Sequence, residues 1–177
     1  ITTNLTNEVK NTTSADPPGR AHDPHHVLHL SAAAAHGSYD RPAMPEIPEL
    51  EAIRGFFSEH ATGQRVVAAA VRIPHVFRPP AQEFRELTGD ALGPVRRHGK
   101  FLLFSLESGR VLAINPMLTG RFQFVAPQTK LRAKTCLVLD LDGGHSLRYS
   151  DERLMGKLYL APADGLENIP NWATNGP

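Results

Sequence analysis

Apolar residues recur at helical spacing at Leu50, Ile53, Phe56 and Phe57, with Glu51, Arg54 and Glu59 between them and Gly63 following as a stop signal. That pattern predicts one amphipathic helix. Beyond it the chain changes period. Arg65 to Ile73, rich in Val and Ala, predicts a strand, and Ala81 to Leu87 a short second helix ended by Gly89. Short alternating or continuous apolar runs then follow at Val95 to Arg97, Phe101 to Leu106, Val111 to Ile114, Phe122 to Val125, Leu137 to Leu141, Ser146 to Tyr149 and Lys157 to Leu160. Turn residues separate them, as in Glu107-Ser108-Gly109 and Asp142-Gly143-Gly144. Many short strands at such spacing predict an α+β fold that is mainly β: a two-layered β-sandwich flanked by an amino-terminal helix and a short second helix.

Both ends of the chain lack this order. Ile1 to Ala43, rich in Thr, Asn, Pro, His and Ala, has neither period and is expected to be disordered or to lie upstream of the true start. Residues 44–161 form the expected compact domain, and Pro162 to Pro177 reads as a linker. From Met44 onward there are 134 residues, enough for a substantial core, with a net charge of only +2. Nucleic-acid binding therefore has to rest on where the charges lie. The single cysteine, Cys136, excludes an internal disulfide and any Cys-x-x-Cys zinc site; within Thr135-Cys136-Leu137-Val138-Leu139 it reads as a buried apolar residue. His22, His25, His26, His29 and His36 lack fixed spacing or a cysteine partner and read as a solvated tail. No apolar run has the length of a signal sequence or a membrane span, so a cytoplasmic protein is expected.

Candidate chemistry gathers in four places. Met44-Pro45-Glu46-Ile47-Pro48-Glu49-Leu50-Glu51 would, on removal of Met44, expose a proline amine beside a carboxylate. An α-amino group has a pKa near 8, so part of it is unprotonated at neutral pH and able to attack an electrophilic carbon, giving an iminium. Glu46 stands next to it as a proton-transfer group. The same residues also suit a turn followed by the first turn of a helix. Arg96-Arg97-His98-Gly99-Lys100 reads either as a phosphate clamp or as a charged, solvated strand edge. Asn115-Pro116-Met117-Leu118-Thr119-Gly120-Arg121 interrupts two strands, and Ser150-Asp151-Glu152-Arg153-Leu154-Met155-Gly156 is a second loop with an arginine and an apolar residue two apart. Wedges of those types fill the gap left when a base is flipped from duplex DNA.

In this order and separation the motifs resemble the amino-terminal domain of the formamidopyrimidine-DNA glycosylase and endonuclease VIII (Fpg/Nei) family, over Met44 to Pro177. The resemblance rests on Pro-Glu-x-Pro-Glu-x-Glu, Arg-Arg-x-Gly-Lys, the Thr-Gly-Arg loop and Tyr-Ser-Asp-x-Arg. It implies a bifunctional enzyme of base excision repair that removes oxidised bases such as 8-oxoguanine or formamidopyrimidine and cleaves at abasic sites. Pro45 would be the nucleophile, Glu46 the proton donor and acceptor, Glu49 a supporting carboxylate, and Lys100 the contact to phosphate near the lesion. Arg96, Arg97, His98, Leu118, Arg153 and Met155 would bind DNA. No cofactor is implied within this chain, and the partner would be double-stranded DNA bound by a monomer.

Two replacements stand out. Leu118 falls where the family carries a methionine wedge, with Met117 at a glycine position, and Met155 falls where it carries phenylalanine. Both wedges stay apolar. Family members continue into a helix-two-turn-helix region and a four-cysteine zinc finger, so the chain reads as a piece of a longer protein whose structural zinc lies elsewhere. The competing expectations are a non-catalytic protein that binds damaged DNA, or an inactive fragment.

Overall fold

The computed structural model describes residues 28–30 and 47–175. Helix α1 spans Ile47–His60 and buries Leu50, Ile53 and Phe57, one face at the expected i, i+3, i+7 spacing. Pro48 occupies its first turn, where a missing N–H breaks no helical hydrogen bond. Helix α2, Gln82–Arg85, places Phe84 edge-on against Phe77 at 4.5 Å between ring centres.

Among the described residues ten strands follow one another: β1 Leu28–Leu30, β2 Val66–Val71, β3 Phe77–Arg78, β4 Leu92–His98, β5 Phe101–Leu106, β6 Arg110–Asn115, β7 Gly120–Val125, β8 Thr135–Leu141, β9 Ser146–Asp151 and β10 Lys157–Pro162. They make two five-stranded sheets, ordered β1-β7-β9-β8-β2 and β3-β10-β6-β5-β4. A bridge between Arg65 and Ala91 joins the β2 side of one sheet to the β4 side of the other. The β-sandwich with an amino-terminal helix and a short second helix is thus the observed architecture.

The core fills the space between the layers, where Leu102, Phe104, Leu112, Ile114 and Leu158 meet Phe122, Phe124, Leu137, Leu139 and Leu147. Helix α1 closes this core by touching both sheets. The ring of Phe57, fully buried, packs edge-on against Phe104 of β5 and against Phe122 and Phe124 of β7, at 5.5, 5.9 and 6.0 Å between centres. Burying one such side chain contributes about 1.5–3 kcal/mol, which helps to fix α1 relative to the sheets.

Two segments depart from the sequence expectations. Leu28–Leu30, within the region expected to be disordered, pairs antiparallel with Phe122–Phe124 as an edge strand; the rest of residues 1–46 lies outside the described residues. Residues 162–175, expected to be a linker, form 3-10 helices at Ala163–Asn168 and Ala173–Asn175. They cover a second apolar cluster on the outer face of the sheet, where Leu166, Ile169 and Trp172 pack with Phe101, Leu103, Val111, Ala113 and Tyr159.

Topology then brings two loops together at one end. The connections from β6 to β7 and from β9 to β10 both cross from one sheet to the other. Because β7 pairs with β9 with Gly120 opposite Asp151, and β6 pairs with β10 with Asn115 opposite Lys157, all four ends of the two crossings are neighbours.

Candidate nucleic-acid interface

Pro45 and Glu46 lie outside the described residues. The helix they precede begins at Ile47, which is exposed, and carries Glu49 half-buried in its first turn. A carboxylate there is favoured by the helix dipole. Two residues further on, the Glu51 carboxylate accepts from Arg54 and, at 3.1 Å, from Nε of Arg97. Those two hydrogen bonds, from Arg54 first, hold its pKa below the ordinary carboxylate value.

The cationic motif forms the end of the β4–β5 hairpin. His98 pairs with Phe101, leaving Gly99 and Lys100 as a two-residue turn. Gly99 has φ +54°, a left-handed value in the first central position, where a type II′ turn requires glycine. The alternation of the strand then sorts the side chains. Arg96, opposite Leu103, is exposed, and Lys100 is exposed at the turn itself. Arg97 turns toward α1, where it bonds Glu51 and donates from its terminal nitrogen to the Gly99 carbonyl at 2.8 Å. His98 stacks on Trp172, with ring centres 4.0 Å apart and planes 11° from parallel, and its Nε2 lies 3.0 Å from the Trp172 carbonyl oxygen. Of the three residues expected to bind DNA here, two therefore have a second occupation: Arg97 braces the turn against α1, and His98 fastens the segment after β10 to the strand.

The crossover loops hold the expected wedges. Met117 and Leu118 are half-buried, Arg153 is exposed and Met155 is 39% exposed, one of three large apolar side chains so exposed among the described residues. Within the first loop, Asn115 Oδ1 accepts from Met117 N–H and the Pro116 carbonyl accepts from Gly120 N–H, at 3.1 and 2.9 Å. Beneath both loops lies Asp151, fully buried, beside the equally buried Tyr149. Burial raises the Tyr149 phenol well above its ordinary pKa, so it stays protonated and donates to the carboxylate. Thr119, Tyr149 and Asp151 stand within the sequence motifs, but their contact depends on the pairing of β7 with β9, which no local pattern reveals. Glu51 and Trp172 carried no sequence signal of their partners.

Among the described residues no group of three or more His, Cys, Asp or Glu side chains is placed to hold a metal ion. Cys136 is buried, as its apolar setting predicts, and burial pushes its thiol up to about 11. A zinc site does not fit these residues. A groove of about 520 Å³ lined by Arg78, Pro79, Tyr159, Ile169 and Pro170 shares none of the loop residues. No helix among the described residues is long and apolar enough to cross a membrane.

This fold has known counterparts. Residues 44–158 match the model of the formamidopyrimidine-DNA glycosylase N-terminal domain, and the chain belongs to that family. It is 34% identical over 128 residues to the formamidopyrimidine-DNA glycosylase of Pelotomaculum thermopropionicum, covering 71% of this chain and 46% of the relative. To the enzyme of that name from Moorella thermoacetica it is 35% identical over 136 residues, covering 76% and 50%. Among solved structures it is similar to the Lactococcus lactis Fpg protein in complex with DNA containing FAPY-dG, with a TM-score of 0.66 and 22% identity over 70% of this chain and 46% of that one. That likeness shows the shared fold. The chain spans about half the length of the curated relatives it matches.

Proposed function

We propose that this chain is the catalytic amino-terminal domain of a DNA glycosylase of base excision repair, acting on oxidised bases such as 8-oxoguanine or formamidopyrimidine in duplex DNA and on abasic sites. The observation that supports the reading is the family match over residues 44–158, which begins one residue before Pro45; the reading takes Pro45 as the reactive terminal proline. In the reaction so assigned, the Pro45 nitrogen attacks C1′ of the flipped nucleotide. The N-glycosidic bond breaks, its electron pair leaves with the base, and Glu46 delivers the proton needed as the sugar opens to an iminium. Loss of a proton from C2′ then expels the 3′ phosphate, and a second elimination the 5′ phosphate. Glu49 supports the carboxylate chemistry at the helix start.

Lys100, exposed on its turn, and Arg96 contact phosphate; Arg97 and His98 serve the same surface by shaping the turn. Leu118, Arg153 and Met155 fill the space vacated by the flipped base. Their placement on neighbouring crossover loops supports this assignment. A monomer suffices, and a structural zinc, where the full protein has one, is held by residues other than those described here.

A second reading has one specific support. Residues precede Pro45 in this chain, and Leu28–Leu30 among them pairs with β7. While they remain attached, the Pro45 nitrogen is an amide and the domain can bind damaged DNA without catalysis.

Borohydride trapping separates the two. Protein beginning at Pro45 and joined to its downstream sequence is incubated with duplex DNA carrying an abasic site or 8-oxoguanine. A covalent complex is expected, weakened by Pro45→Gly; Glu46→Gln is expected to cripple base release. Equal trapping with residues 1–44 retained would remove the amine of Pro45 from the mechanism.

A further inference from the structure

Every side chain proposed to enter the DNA stack sits on one of two loops, and both loops rest on a single carboxylate. Asp151 is fully buried at the end of β9. Its Oδ1 accepts from the Thr119 hydroxyl of the first loop, from Arg153 N–H at 3.2 Å and from Leu154 N–H at 3.1 Å; its Oδ2 accepts from Gly156 N–H at 2.6 Å and from the Tyr149 hydroxyl at 3.3 Å. The Thr119 hydroxyl oxygen also accepts from Arg153 N–H at 3.1 Å, so the two loops are joined a second time. A buried carboxylate is tolerated only when its lone pairs are filled, and the donors here are loop backbone, a loop hydroxyl and a strand phenol.

Packing leaves these groups no slack. A methyl group at Gly120 would meet the Pro116 carbonyl and the Tyr149 hydroxyl at 2.5 Å, and one at Gly156 would run into the same hydroxyl and Asp151. Met117 and Leu154 are held at φ +49° and +55°, left-handed values that non-glycine residues keep only where the surroundings impose them.

Resting on the glycosylase reading above, we infer that Asp151 and Thr119, with Tyr149 as their floor, are positioning residues that lock the Leu118 loop to the Arg153 and Met155 loop, so that the wedges enter DNA as one preformed unit and together discriminate the base opposite the lesion. A wedge built this way does not lose loop freedom at the moment it must also separate a base step.

The test is Thr119→Val, which keeps the shape and removes the hydroxyl, beside Thr119→Ser, which restores it. In the free full chain, amide exchange at Arg153, Leu154 and Gly156 is expected to accelerate about tenfold or more in the valine variant, with β7 and β9 amides unchanged and serine close to wild type. Dissociation constants for duplexes with a stable abasic-site analogue opposite each of the four bases should then converge in the valine variant, spreading again in serine, while affinity for undamaged duplex holds. Unchanged exchange would overturn the lock. Faster exchange with opposite-base discrimination intact would overturn its role in recognition. A wild-type chain that does not distinguish the abasic duplex from undamaged DNA would sink the glycosylase reading, and this inference with it, whatever the exchange data show.

Discussion

The crossover loops and the basic hairpin turn present side chains to the same proposed ligand, yet they are held by opposite means. The loops stand on a buried acid whose partners are mostly backbone N–H groups. The turn is held from the surface, by Arg97 on a Glu51 carboxylate whose side chain is 45% exposed and by the stack of His98 on Trp172. In a low-dielectric setting a hydrogen bond is stronger and a missing partner costs more, whereas exposed ion pairs are screened and worth little. The difference fits the two proposed tasks. A wedge that must occupy one base step needs a fixed shape, while a lysine that meets a phosphate needs only charge and reach.

The sharpest way to break this contrast is at Gly156. Its methyl-bearing variant, Gly156→Ala, has to displace the Tyr149 hydroxyl, and overpacking of that kind costs about 1–3 kcal/mol. Urea unfolding should show a lower midpoint with the same slope; a midpoint equal to wild type would mean that the loops are less constrained than described. Next in size is Lys100→Ala. Loss of one phosphate contact should lower the slope of log affinity against log salt by about one and weaken binding alike for all sequences. A change confined to damaged duplex would move Lys100 from the backbone contacts to recognition of the lesion.

The smallest effect belongs to Glu51→Gln. Because the folded-state pKa of Glu51 lies below its ordinary value of 4.5, the unfolded chain binds the proton more readily. Its contribution is therefore present above about pH 4.5 and fades as the pH falls through the lower folded-state value. Allowing for solvent screening, the glutamine variant should lose under about 1 kcal/mol near pH 7 and progressively less in acid. A loss that grows on acidification would contradict the surface pairing of Glu51 with Arg97.

Much of this architecture was legible in the residues, and the failures have physical reasons. Helix α1 announced itself because Leu50, Ile53 and Phe57 share one buried face. Strands β4 to β10 follow short apolar runs bounded by turns. β3 is two residues long, too short for any period, and owes its place to pairing with β10. Alternation fails in β9, where Ser146, Arg148 and Ser150 would be read as solvent-facing and are buried. The Arg148 guanidinium is there spent on the Thr129 and Pro127 carbonyls, each at 2.8 Å, so that a polar residue becomes a brace for the loop between β7 and β8. Residues 162–175 lack periodicity because their contacts are set by the shape of the sheet beneath them: Leu166, Ile169 and Trp172 are spaced to reach Phe101 and Tyr159. At the candidate interface the sequence singled out residues that reach solvent. It gave no hint that Asp151 underlies them, since that depends on two crossings being brought side by side.

Trp172 is the chain's one tryptophan, and its indole lies face to face with His98, the residue directly before the β4–β5 turn. The domain thus carries an intrinsic optical probe at the place where the last described segment meets the strand leading to Lys100. Its emission reads the seating of that segment without any label, so one spectroscopic signal can follow whether occupation of the basic turn loosens or tightens the domain boundary.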